Sequence, residues 1–211
     1  SIRDLWVSGA NANSVGAIAI VRGAVDIEGV IIEDCLFYGP AGGIGLYWAD
    51  STTVRDCIIS GCSSNGYGGG IHVYNSTQVS VEGAHLIENH AGISGGGPSA
   101  HGSEVAVMDC LFAGNDAGDG AGISVRGTML FLRSSFFTGN YATRWGAALY
   151  YDYQGNPSGG LAENCDFRGN NSYSGGIVQL MNYANPTLRS LSIVDNNHGD
   201  GISAGCCNVG V

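Results

Sequence analysis

The chain contains no lysine: its eight basic residues are all arginine, set against 18 acidic ones for a net charge of −10. A surface so poor in positive charge offers little hold on phosphate, which argues against nucleic acid and anionic lipid as partners. Charged residues make up only 12% of the sequence and proline only four positions, while 44% of residues are apolar and 9% aromatic. Disorder is excluded, because disordered chains are highly charged and poor in apolar residues. Collagen is excluded by the missing Gly-X-Y period. No apolar run approaches the ~18 residues of a membrane span. The opening SIRDLWVSG lacks the basic and apolar parts of a signal peptide, so no membrane insertion of this segment is expected. None of the seven cysteines forms a Cys-x-x-Cys pair, which leaves no zinc ribbon or dithiol redox motif.

What is abundant is glycine, at 36 of 211 residues, and it falls in a repeat. A segment of the form VRDCIISGC (54–62) returns as VMDCLFAGN (107–115), LRSSFFTGN (132–140) and AENCDFRGN (162–170). Weaker copies begin at Ile2, Ile32, Val81 and Leu188, giving eight in all. Aligned on Leu5, Cys35, Cys57, Ala84, Cys110, Ser135, Cys165 and Leu191, the copies follow one another at a period near 26 residues. Between them lie Gly-Gly-Ile-like triplets at 16–18, 42–44, 69–71, 121–123, 147–149, 175–177 and 200–202; GGGP at 95–98 departs from the pattern. Each unit holds short apolar stretches rich in β-branched and aromatic residues, punctuated by Gly, Asn and Asp, with no helical stripe. This predicts one all-β domain over 1–211: a right-handed parallel β-helix of about eight coils with three short strands per coil.

In such a solenoid equivalent positions stack about 4.8 Å apart. The column before the cysteine position (Asp4, Asp34, Asp56, Gly83, Asp109, Ser134, Asn164, Ser190) is dominated by residues that tolerate a left-handed backbone, as a tight corner requires. Two places after the cysteine position, Val7, Phe37, Ile59, Leu86, Phe112, Phe137, Phe167 and Ile193 read as core. Asn89, Asn115, Asn140, Asn170 and Asn196 read as an asparagine ladder. Two places before the cysteine position, Arg3, Glu33, Arg55, Glu82, Met108, Arg133, Glu163 and Arg189 alternate in charge. Opposite charges in neighbouring strands stabilise by roughly 0.2–1 kcal/mol per pair.

Phe112-x-x-Asn115, Phe137-x-x-Asn140 and Phe167-x-x-Asn170, each followed by a Gly-Gly-Ile-like triplet, resemble the FxxN and GGA[ILV] repeats of polymorphic outer-membrane proteins. That resemblance implies an extracellular or cell-surface structural or binding module, presenting a long rigid face for adhesion to protein or glycan. The same coil also resembles that of pectate-lyase-like and polygalacturonase-like enzymes, which keeps a carbohydrate-active enzyme as the alternative.

Three and four residues past the triplets stand Tyr47 and Trp48, Tyr74 and Asn75, His101, Arg126, and Asp152 with Tyr153. On five consecutive coils these predict one strip about 19 Å long, suited to stacking on sugar rings or to protein contact. Arg126, Asp152 and His101 are the mixed cluster an enzyme would use, but a lyase needs several cations and a hydrolase clustered carboxylates; the sequence shows neither. Cys35 and Cys57 lie in adjacent copies and are the disulfide candidate, although small buried side chains filling a stack is the simpler reading. The vicinal Cys206 and Cys207 are candidates for pairing outside the chain. Asn75 and Asn170 head glycosylation sequons. Asp116, Asp119 and Asp200 sit in Gly-rich turns that could offer oxygens to calcium, although turn formation accounts for them. No cofactor is expected. Threonine forms no column, which argues against an ice-binding face. The first residues already lie within a coil, so further coils or other chains are expected at the open ends.

Overall fold

The computed structural model describes residues 1–13, 15–155, 158–197 and 201–205. Among these residues the chain forms 31 strands and no helix. The strands make four wholly parallel sheets, here A to D, in which each strand pairs with its copy one coil earlier and one coil later. Sheet A runs from Ile2–Arg3 to Asn185–Arg189 and sheet B from Trp6–Ser8 to Ser192–Val194. Sheet C runs from Asn11–Ala12 to Asn171–Ser172 and sheet D from Ile18–Val21 to Ile202–Gly205. The molecule is a parallel β-helix of about eight coils, with four strands to a coil rather than three. The fourth is the short sheet C strand, whose small inward residues (Ala91, Ala117, Ala142) give it no apolar run to announce it.

Two of the left-handed corners in each coil flank sheet B. Between sheets A and B the positive-φ column is Asp4, Gly29, Asp56, Gly83, Asp109, Ser134, Asn164 and Ser190. Between B and C it is Gly9, Asp34, Gly61, Glu88, Gly114, Gly139, Gly169 and Asp195. Both corners favour the same residue types, and they lie five residues apart. The sequence alignment therefore slipped by one such unit in the second coil. Ile27 and Glu28, not Ile32 and Glu33, stack on Val54 and Arg55. Val30 accordingly takes the place assigned to Cys35, and Ile32 that assigned to Phe37. The charge ladder keeps its alternation with Glu28 in the column. Arg3 Nη1 reaches Glu28 at 2.7 Å, Arg55 Nε reaches Glu82 at 3.3 Å, and Glu163 lies between Arg133 and Arg189.

The other columns hold. Phe112, Phe137 and Phe167 are fully buried and stack with centroids 4.6 and 4.8 Å apart. Beside them each ladder asparagine uses its whole amide. Asn115 Nδ2 donates to Leu86 O at 2.9 Å and to Asn140 Oδ1 at 3.0 Å, while its own Oδ1 accepts from the Asn89 backbone and side chain. The ladder continues through Asn170 to Asn196. Asn170 is thus enclosed, with Nδ2 donating to Phe137 O and Asn196 Oδ1; the folded chain does not present it to a glycosylating enzyme. Asn75 is exposed.

Cys35, Cys57, Cys62, Cys110 and Cys165 are buried free thiols. Cys35 and Cys57 do not form the proposed disulfide: the register sets Cys35 level with Cys62, since Glu33 and Leu36 pair with Ser60 and Ser63. The thiols act as corner donors, Cys57 Sγ to Arg55 O at 3.1 Å and Cys110 Sγ to Met108 O at 3.1 Å, as Ser135 Oγ does to Arg133 O. Burial pushes the Cys62 and Cys110 thiols up to about 12. Cys206 and Cys207 lie outside the described residues, as does Asp200.

A candidate ligand cleft at the corner of sheets C and D

Strands of sheet D alternate as a strand must. Ile71 and Val73 enter the core, so His72 and Tyr74 face away from it. The outward positions form two columns. One is Tyr47, Tyr74, His101, Arg126 and Asp152, paired residue on residue across five coils. This is the strip read from the sequence. The other is Gly45, His72, Ser99, Ser124 and Tyr150. GGGP is no exception, because Pro98 pairs with Ile71. The triplet at 175–177 is one residue early: Val178, not Ile177, pairs with Leu149.

The strip is not an open face. The chain entering sheet D turns sharply at Gly68, Gly95, Gly120 and Gly146, all at positive φ. A methyl group on Gly120 would sit 2.6 Å from Ile123 O and 2.8 Å from Ser124 Cβ. These turns roof the second column and raise a wall from the preceding residues, Tyr67, Ser94, Asp119 and Trp145. The result is a cleft along the solenoid. Tyr47 and Asp152 are accordingly buried, while Trp48, Tyr74 and Tyr153 are exposed. Tyr153 stands at the corner beyond Asp152.

At one end the cleft is aromatic. Tyr67 meets His101 edge-on at 4.7 Å and stacks on His72 at 5.8 Å. Trp48 meets Tyr74 edge-on at 5.6 Å. With Pro40 and Tyr47, these residues line an open apolar hollow of about 310 Å³. A second cavity of about 270 Å³ continues from Tyr74 and His101 to Arg126 and Gln154. Arg126 lies between the rings of Tyr67 and Tyr150, 5.8 and 5.7 Å from their centroids. Its Nη2 reaches Asp119 Oδ2 at 3.1 Å, and Arg144 Nη2 reaches the same oxygen at 2.7 Å. Asp152 accepts from Gln154 Nε2 at 3.0 Å and Asn182 Nδ2 at 2.7 Å.

Burial dominates the titration of these groups. It lowers His72 to about 3, with the neighbouring His101 adding to the effect. It lowers His101 to about 4, aided by Arg126 and opposed by Asp152. It raises Tyr47 and Tyr150 to about 12, and raises the Asp119 carboxyl against the pull of Arg144 and Arg126. Buried polar atoms without a partner gather here: His72 Nδ1, His101 Nε2, Asp119 Oδ1, Arg126 Nε and the hydroxyls of Ser94, Ser99 and Ser124. Buried polar groups are nearly always paired, so this concentration marks a place built to receive hydrogen bonds.

The two calcium candidates among the described residues diverge. Asp116 faces His90 Nδ1 at 2.6 Å, whereas Asp119 is given to the two arginines. No group of three metal-ligating side chains occurs among the described residues. Sequence reasoning missed Tyr67, His72, Arg144, Trp145 and Tyr150, and gave Asp119 a different role. The signal was present: the wall column directly precedes the turn glycines, and the roofed column follows the triplet by one.

A family described as right-handed β-helix region matches residues 7–158, 152 of the 211 residues. The chain belongs to that family, a class defined by its coil. No curated protein and no solved structure shows significant similarity to the chain.

Proposed function

We propose that this protein is a rigid glycan-binding module that works outside the cell or at its surface. The observation that carries this is the cleft itself. Rings of Tyr67, Tyr74 and Trp48 border the same hollow as unpartnered polar atoms of His72 and His101. Sugars present apolar ring faces and hydroxyl edges together, and a site of aromatic faces with a few fixed polar groups is complementary to both. The FxxN resemblance and the exposed sequon asparagine Asn75 support an extracellular setting.

The alternative, a pectate-lyase-like enzyme, finds less support. Both arginines of the cleft are committed to Asp119, and both histidines are held neutral far below physiological pH. The test is binding to an immobilised glycan array alongside assays for reducing ends and unsaturated products. Retention on glycans without turnover, lost in Tyr74→Ala, is the expected result. Turnover abolished by Arg126→Ala or Asp152→Asn would establish the enzyme instead.

A further inference from the structure

Resting on that reading, the structure assigns the cleft to an uncharged, polyhydroxylated glycan rather than to a uronate-containing one. Recognition of a sugar carboxylate calls for a cation with donors to spare, ideally a bidentate guanidinium. The chain has no lysine to supply one. Arg126 and Arg144 converge on a single oxygen of Asp119, and Arg126 is further enclosed between Tyr67 and Tyr150. The opposite wall adds a second carboxylate, Asp152. At the aromatic rim the one arginine in place is Arg22, exposed and 5.9 Å from the Trp48 ring centroid. Two guanidiniums thus face two buried carboxylates, Asp119 and Asp152, and the interior of the cleft carries no excess positive charge.

The unpartnered atoms point the same way. Asp119 Oδ1 only accepts, and Arg126 Nε only donates. His72 Nδ1 and His101 Nε2 belong to neutral rings, so each accepts or donates according to tautomer. A hydroxyl serves every one of these, because it donates and accepts through the same oxygen. A carboxylate is acceptor-only and meets repulsion from Asp119 Oδ1. His72 is almost wholly buried at the base of the aromatic cavity, so its nitrogen is preorganised rather than recruited from solvent.

The experiment is calorimetric titration of the full chain with two sets of probes. The uncharged set is the hexaoses of β-1,4-linked glucose, xylose and mannose and of α-1,4-linked glucose; the charged set is hexagalacturonate and hexaguluronate. At least one uncharged hexaose is expected to bind, with an affinity that changes less than twofold on raising salt and falls at least tenfold in Tyr74→Ala. Asp119→Asn, which keeps shape while releasing two guanidiniums, is expected to weaken that binding at least fivefold. It should also confer salt-sensitive binding of hexagalacturonate that the unaltered protein lacks. Tight, salt-sensitive uronate binding by the unaltered protein would overturn the assignment while leaving the glycan reading intact. Binding of no probe would overturn both. Thermal unfolding of each variant verifies folding, and Tyr74→Phe, which retains the ring, should bind almost normally.

Discussion

Arg144 and Arg126 meet on one oxygen of Asp119, 2.7 and 3.1 Å away, while the other oxygen of that carboxylate has no partner. A single buried side chain thus holds two cations in place, and Arg126 is itself largely buried. Removing the carboxylate strands that guanidinium, and breaking a buried pair in this way typically costs 3–5 kcal/mol. Asp119→Ala is therefore expected to lower stability by about 3 kcal/mol, read from urea unfolding. An unchanged midpoint would show that the cluster contributes nothing to the folded state.

His72 and His101 titrate in the folded chain near 3 and 4, well below the ordinary 6.5. Between those values and about 6.5 the unfolded chain binds protons that the folded chain refuses. Stability is then complete above about pH 6.5 and declines as pH falls through that window, by up to about 1.4 kcal/mol per pH unit for each histidine. Comparing urea midpoints at about pH 7 and about pH 5, His72→Gln should lose less on acidification than the unaltered protein. Equal losses would contradict a buried neutral ring.

Asn115 lies mid-ladder, and its side chain takes part in four hydrogen bonds, to Leu86, to Asn140 and twice to Asn89. Its loss leaves buried donors and acceptors on both neighbouring coils, at about 1–3 kcal/mol each. Asn115→Ala is expected to destabilise by about 3 kcal/mol or more. Asn196→Ala, at a partly buried rung, should cost about 1 kcal/mol. Chemical denaturation of the two variants side by side checks the order.

Gly120 and Gly9 share a positive φ but not their surroundings. A methyl at Gly9 meets nothing within 4 Å, while at Gly120 it presses on Ile123 O and Ser124. Gly9→Ala should cost the left-handed strain alone, about 1 kcal/mol. Gly120→Ala should cost at least twice as much and should weaken any ligand of the cleft, because this turn carries Asp119. Unfolding midpoints that rank the two the other way would refute the role given to the turn.

The fold was legible because its instructions are repeated: the Phe112, Phe137 and Phe167 column and the asparagine ladder appear in the sequence as they stack in the molecule. The misalignment of the second coil has a physical cause. Sheet B is flanked by corners five residues apart that ask for the same residues, so Glu28-Gly29 and Glu33-Asp34 are nearly interchangeable, and both preserve the charge alternation. Coil length was the discriminating feature, since placing Cys35 before Cys57 leaves too few residues for four strands. The five-coil strip was legible from its fixed distance past the Gly-Gly-Ile-like triplets. The wall facing it was not, because Ser94, Asp119 and Trp145 end sheet C strands beyond a register shift, with Tyr67 bridged to Ser94, and no sequence pattern announces that shift.

The cleft crosses storeys. Tyr47, Tyr74, His101, Arg126 and Asp152 each belong to a different turn of the spiral, and strand pairing fastens a turn to the ones directly above and below. A molecule lodged along that furrow grips several floors at once. Loading the proposed site would thus be a mechanical act as well as a chemical one: it would splint the tower lengthwise and make it harder to unravel from either end.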